Sequence, residues 1–272
     1  MKRSLPPLKL RYSPLVYVIA QVRVSAVVSI DKFIPDIQER IRHQGFPRFQ
    51  KGQIQEIRFD LGQEPKVAMA ERYEFQNKEG TSGIILAPDF IALHTSKYDT
   101  GEHFVDTLQT ALNIVHEVVQ FSLAERIGLH YVDLLRLRQN ETWSEYLKPG
   151  LLGLDTSTLN LSEFLSRFEF VGITDVGKLI VRYSQVRYSQ NDQGMILPPD
   201  LVLNSLKHDM HLNQNELVAF LDLDHFSELS RDFEVSSVLE TISDLHETLD
   251  RTFRSATTET ALQRWGKQEA AK

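Results

Sequence analysis

The 272-residue chain contains no cysteine. That absence removes disulfide frameworks, thiolate zinc sites, iron–sulfur clusters and cysteine nucleophiles together. Long apolar runs are missing too. The most apolar early stretch, Leu15 to Ile30, is cut by Gln21 and Arg23. It is too short and too polar for a bilayer span and suits a long strand. The opening Met1-Lys-Arg-Ser-Leu-Pro-Pro is basic but lacks the apolar region and cleavage site of a signal peptide. A soluble, cytoplasmic protein of prokaryotic style is expected. The marked catalytic loops are also absent: no Gly-x-x-x-x-Gly-Lys-Ser/Thr, Gly-x-Gly-x-x-Gly, Gly-x-Ser-x-Gly or His-Glu-x-x-His occurs. Arg126 and His130 stand too close together for the Arg-x4–6-His pattern of helical RNases.

Charge is modest and unevenly placed. With 30 Lys+Arg against 37 Asp+Glu the net charge is −7, which argues against a protein that coats a polyphosphate. Residues 1–138 hold 18 basic and 16 acidic side chains, the remainder 12 and 21. The second half therefore carries the negative balance.

What is present is alternation. Val16, Val18, Ala20, Val22 and Val24 alternate with more polar neighbours and predict a strand from Leu15. Asp31 is placed to cap a helix bearing Phe33, Ile34, Ile37 and Ile41, stopped by Gly45 and Pro47. Short strands follow near 53–60, 66–76, 82–87 and 90–96, separated by turn residues. A long helix is expected from Gly101 to Leu123, with Phe104, Leu108, Leu112, Val115 and Val119 on one face. A second long strand, through Ile127, Leu129, Tyr131, Leu135 and Leu137, opens the next half. A helical segment at Trp143–Leu147, a loop near 148–160 and a short helix at Leu161–Phe168 come after it. Strands near 176–189, 195–206 and 215–224 and a helix from Val235 to Arg254 complete the order.

The two long helices align at an offset of 130: Leu108 on Val238, Leu112 on Ile242, Val115 on Leu245, Val119 on Leu249, and His116-Glu117 on His246-Glu247. Two amphipathic helices always align somewhere, but here the whole order of elements repeats. The expectation is an α+β fold built from a duplicated β-α-β-β-β(-β)-α unit. Its curved antiparallel sheet would carry long helices on one face, in the manner of TATA-binding-protein-like or helix-grip folds. The repeats would span residues 1–124 and 125–258, with a polar tail at 259–272, all in one compact body.

Several stretches resemble a sporadically distributed prokaryotic family of uncharacterised proteins of about this length. They are Pro14-Leu15-Val16, Tyr73-Glu74-Phe75, Gly83 through His94 with Pro88-Asp89, Tyr98, Gly128-Leu-His-Tyr-Val-Asp133, Asp222-Leu-Asp224 and His246. The likeness runs from about residue 8 to Trp265-Gly266, with His130 where Arg is usual and Asp133 where Asn is usual. It implies the architecture and carries no activity. A sporadic distribution implies an accessory role, of the defence or toxin–antitoxin kind.

Candidate chemistry is sparse. Asp133 alternates with Leu129, Tyr131, Leu135 and Leu137 and should point inward, where a carboxylate needs a partner or a cavity. Lys207-His208-Asp209-Met-His211 and Asp222-Leu-Asp224-His225 would face each other across a hairpin. His208, His211, Asp222 and Asp224 then offer weak metal ligands, although turn polarity alone accounts for them. Arg40, Arg42, His43, Arg48 and Lys51 surround the end of the first helix, with Phe46 and Phe49 interleaved. This is either a nucleic-acid-binding patch or a basic rim favoured by the helix dipole. His116 and His246 read as structural histidines beside core faces.

No cofactor is implied and the balance leans away from an enzyme. The leading expectation is a binding protein that engages a protein partner through a sheet groove, with Tyr131, Asp133, Tyr73 and Tyr98 as contacts. Nucleic-acid binding at Arg40–Lys51 and metal-dependent hydrolysis are the alternatives. Neither partner nor oligomeric state is legible.

Overall fold

A computed structural model describes residues 8–58, 66–154, 159–161, 164–188 and 212–267, with backbone alone for 54–58 and 66–70. The fold is mixed α+β with a large, open antiparallel sheet. Its strands are β1 (Leu15–Val24), β2 (Arg48–Arg58), β3 (Lys66–Gln76), β4 (Ser82–Ala87), β5 (Phe90–Thr95), β6 (Leu123–Arg136), β7 (Arg167–Ile173), β8 (Lys178–Arg187), β9 (Leu217–Ser227) and β10 (Arg231–Asp232). Its helices are α1 (Ile34–Arg42), α2 (Gly101–Val119), α3 (Pro149–Leu152), α4 (Val235–Ala256) and α5 (Glu259–Arg264). Among the described residues no helix is long and apolar enough to cross a membrane.

The chain forms two compact units. One comprises Ile19–Gly128 and Ser227–Ile242, the other Met1–Val18, Leu129–Phe226 and Ser243–Lys272. In the first, hydrogen-bonded neighbours run β2-β3-β4-β5-β1. The β3–β4 turn is tied by Asn77, whose Oδ1 accepts from the N–H groups of Thr81 and Ser82 at 2.9 and 3.2 Å. The β4–β5 hairpin turns on Pro88-Asp89, with Ala87 opposite Phe90. Phe75, Ile84 and Leu93 lie opposite one another across β3, β4 and β5 and are buried. Ile41 of α1 and Ala111 of α2 line a cleft together with Ile84, so the helices cover that side. Thr100 caps α2 by accepting from His103 N–H. Asp31 does not cap α1: a 3-10 turn at Ile30–Phe33 precedes it, Phe33 holds the cap position and Pro35 opens the first turn.

In the second unit the order is β6-β9-β8-β7. α4, whose residues up to Ile242 belong to the first unit and from Ser243 to the second, buries Val238, Ile242, Leu245, Leu249 and Phe253, the spacing of one helical stripe. Contacts from α4 to β6 and β9 (Tyr131 to His246, His225 to the Leu245 carbonyl) place it on the side bearing Leu221, Leu223 and Tyr183. α5 begins at Thr258, whose hydroxyl accepts from Ala261 N–H. It buries Ala261 and Leu262, and Trp265 just beyond packs on Tyr146 and Phe253. The stretch after residue 258, polar in sequence, is in this way tied to the fold as far as Lys267. Where a helix was expected at Leu161–Phe168, the chain instead enters β7 at Arg167. The expected strand at 195–206 lies outside the described residues.

Candidate functional site

The aromatic contact candidates sit mostly inside. Tyr131 is buried, with its hydroxyl 2.8 Å from His246 Nδ1. Tyr73 is buried between Phe49 and the sheet and donates to Glu71 Oε2 at 2.7 Å. Burial and that carboxylate push its hydroxyl up to about 12. Tyr98 is half-buried against Phe104. Asp133 is 3% exposed, and among the described residues no cation pairs with it. Burial, reinforced by the Asp222 carboxylate, pushes it up to about 8, so it is mostly protonated at neutral pH.

The basic region is largely neutralised by its own neighbours. Arg40 lies 3.0 Å from Asp36 and 3.1 Å from Glu117, Arg42 and His43 share Glu39, and Lys51 lies 2.6 Å from Glu71. Arg48 is exposed at the start of β2. A strand of phosphates would have to displace these carboxylates.

Across β7, β8 and β9 the residues Glu169, Arg182 and Asp222 stand directly opposite one another. Arg182 Nε donates to Glu169 Oε2 at 2.7 Å, and its NH1 lies 3.5 Å from Asp222 Oδ1. His130 Nε2 lies 3.0 Å from the same oxygen, an ion-pair distance whose angle falls outside hydrogen-bond geometry. Strand alternation puts this row on the side away from α4. Asp222 is thus committed to His130 and Arg182, while His208 and His211 lie outside the described residues. Among the described residues no group of three His, Asp or Glu is placed to hold a metal ion.

The first unit holds a second buried pair. His94 Nε2 lies 3.4 Å from Glu74 Oε1, Gln76 donates to that oxygen at 2.8 Å, and Arg72 NH2 lies 3.3 Å from Oε2. Burial alone would raise Glu74, but the adjoining His94, the Gln76 hydrogen bond and the nearby Arg72 charge hold it at about 2. Burial drives His94 below its ordinary range, and its Nε2 stands beside Glu74 outside hydrogen-bond geometry. Gly83, opposite both Gln76 and His94, makes room: a Cβ there would lie 2.6 Å from His94 Nε2.

The feature that the sequence did not announce is at β7. Of twelve large apolar side chains exposed among the described residues, eight fall between Leu154 and Ile173. Val171 is 54% exposed and Ile173 80%. β7 ends its strand order, and among the described residues no strand pairs with its outer edge. Its backbone can be sorted. Gln185 N–H donates to the Ser166 carbonyl and Thr174 N–H to that of Gly177. By antiparallel alternation the even residues bond to β8, while Arg167, Glu169, Val171 and Ile173 turn N–H and C=O outward. An open, apolar edge of this kind is a template for another strand. The signal in the sequence was Arg167-Phe-Glu-Phe-Val-Gly-Ile173, a short β-prone run without proline or lysine.

The chain matches no family model and no curated protein.

Proposed function

We propose that this chain is a non-enzymatic interaction protein that engages a protein partner through the β7 edge and the apolar segment leading into it. The observation that carries this reading is the concentration of exposed apolar side chains at Leu154–Ile173, on and beside an unpaired sheet edge. The buried state of Tyr73 and Tyr131 moves the expected contact surface from a groove lined by those residues to this edge. Arg40, Arg42, His43 and Lys51 are each paired with a carboxylate and Arg48 is exposed without one among the described pairs, so the nucleic-acid alternative has less support than the edge. The test is affinity capture from source cells with the wild-type chain and with Val171→Lys/Ile173→Lys. A stoichiometric protein retained by the first and lost by the second is expected. Identical captured proteins from both would overturn the reading.

The duplicated plan, with its TATA-binding-protein-like or helix-grip-like shape, belongs to the same proposal. Three observations support it. In each half the opening strand is hydrogen-bonded to the closing one, β1 to β5 and β6 to β9, and the rest follow in reverse order. All four apolar pairs aligned at the offset of 130 are buried in both helices. The aligned His116 and His246 are each half-buried against aromatic rings, Phe121 and Phe233 for one and Tyr131 for the other.

A further inference from the structure

We propose that the strand received by β7 is the β7 of a second copy of this chain, added antiparallel about a two-fold axis at Phe168. This rests on the interaction reading above and deepens it by naming the occupant. A strand that pairs with itself must satisfy its own sequence read backwards, and few registers do so here. Centring on Phe168 sets Arg167 of each copy opposite Glu169 of the other and Leu165 opposite Val171. Centring on Glu169 would set two carboxylates face to face. Centring on Phe170 would leave Arg167 opposite Ile173 and Glu169 opposite Val171.

The backbone agrees with the same choice. Arg167, Glu169 and Val171 are the residues whose N–H and C=O point outward, so the charge-matched pairs are also the hydrogen-bonded ones. Phe168 bonds to β8 and meets its counterpart as a non-hydrogen-bonded pair, with Cα atoms about 4.5 Å apart. Glu169 already accepts from Arg182 within its own chain; the second copy's Arg167 supplies a cation on its open side. The exposed apolar side chains of Val171 and Leu165 are covered by each other across the axis.

The chain's lack of cysteine makes the test clean. A single Phe168→Cys substitution places one thiol at the axis, at a spacing that a disulfide bridges. Mild oxidation of the purified full chain should give mostly cross-linked dimer, while Phe170→Cys, two residues off the axis, should give far less. In light scattering across a concentration series the wild type should move to twice the monomer mass. Val171→Pro removes an outward N–H and leaves the β8 ladder intact; it should weaken association at least tenfold. Arg167→Glu, an exposed change that sets like charges opposite each other, should weaken it as well. A monomer at every concentration with no Phe168→Cys cross-link overturns the second copy. If, in that case, Val171→Lys/Ile173→Lys still abolishes capture of a different protein, the interaction reading stands alone.

Discussion

Glu74 and Asp133 are carboxyl groups buried to nearly the same depth, one in each unit, and their surroundings drive them in opposite directions. Glu74 is met by His94, Gln76 and Arg72 and is held at about 2. Asp133 meets no cation among the described residues, feels Asp222, and rises to about 8. Burial raises both carboxyls, and only Glu74 has partners that outweigh it. The end strands repeat the contrast. β2 offers the exposed Arg48 and Lys51 along its start, charges that discourage pairing at an edge. β7 offers Phe, Val and Ile, exposed. In both respects the unit containing Leu129–Phe226 forgoes stability that the other secures.

Removing the buried acid should have the largest effect. The folded value of Asp133, about 8, stands above its ordinary 3.8. The folded chain therefore keeps a proton that the unfolded chain releases. The stability this represents is whole below about pH 4 and is lost as pH rises toward 8, by on the order of 4 kcal/mol at pH 7. Asp133→Asn should recover most of that and flatten the alkaline fall of urea-unfolding free energy. Parallel pH profiles for the two proteins would break the contrast.

Glu74 has the opposite sign. Its value falls from 4.5 to about 2, so its contribution is present above pH 4.5 and lost as the pH drops through 2. Glu74→Ala leaves His94 and Arg72 facing an empty acceptor and should cost about 3 kcal/mol at pH 7. The same unfolding titration checks it, and a variant as stable as wild type would contradict the assignment. A smaller effect is expected from Gly83→Ala, whose methyl group would stand 2.6 Å from His94 Nε2 and 3.1 Å from the Phe75 carbonyl. Displacing the ring should cost about 2 kcal/mol, and pairing it with Glu74→Ala should give less than the sum.

Most elements were legible because their residues face a core. β1, β3, β4, β5, α2, β6 and α4 show in alternation or helical spacing, since each puts one set of apolar side chains against a neighbour. Leu161, Phe164, Leu165 and Phe168 have helical spacing too, yet Leu161, Phe164 and Leu165 are exposed and Phe168 lies in β7. Periodicity reports burial, and where apolar residues stay exposed it misleads. α5 had a readable start in Thr258 and a stop in Gly266, which takes a left-handed φ of 71°. Asp133 was rightly marked as an inward carboxyl, but its lack of a cation depends on residues distant in sequence. The Glu74–His94 pair was hidden for the same reason, because Gly83 joins them across three strands.

Residue-resolved amide exchange along β7, measured at low and high protein concentration, tests the docking edge most directly. The even residues Phe168, Phe170 and Gly172 bond to β8 and should exchange slowly in both samples. Arg167, Glu169 and Val171 should exchange fast when dilute and slow markedly when concentrated, an alternating pattern that only an added strand produces. Equal rates for those three amides at both concentrations would contradict the account.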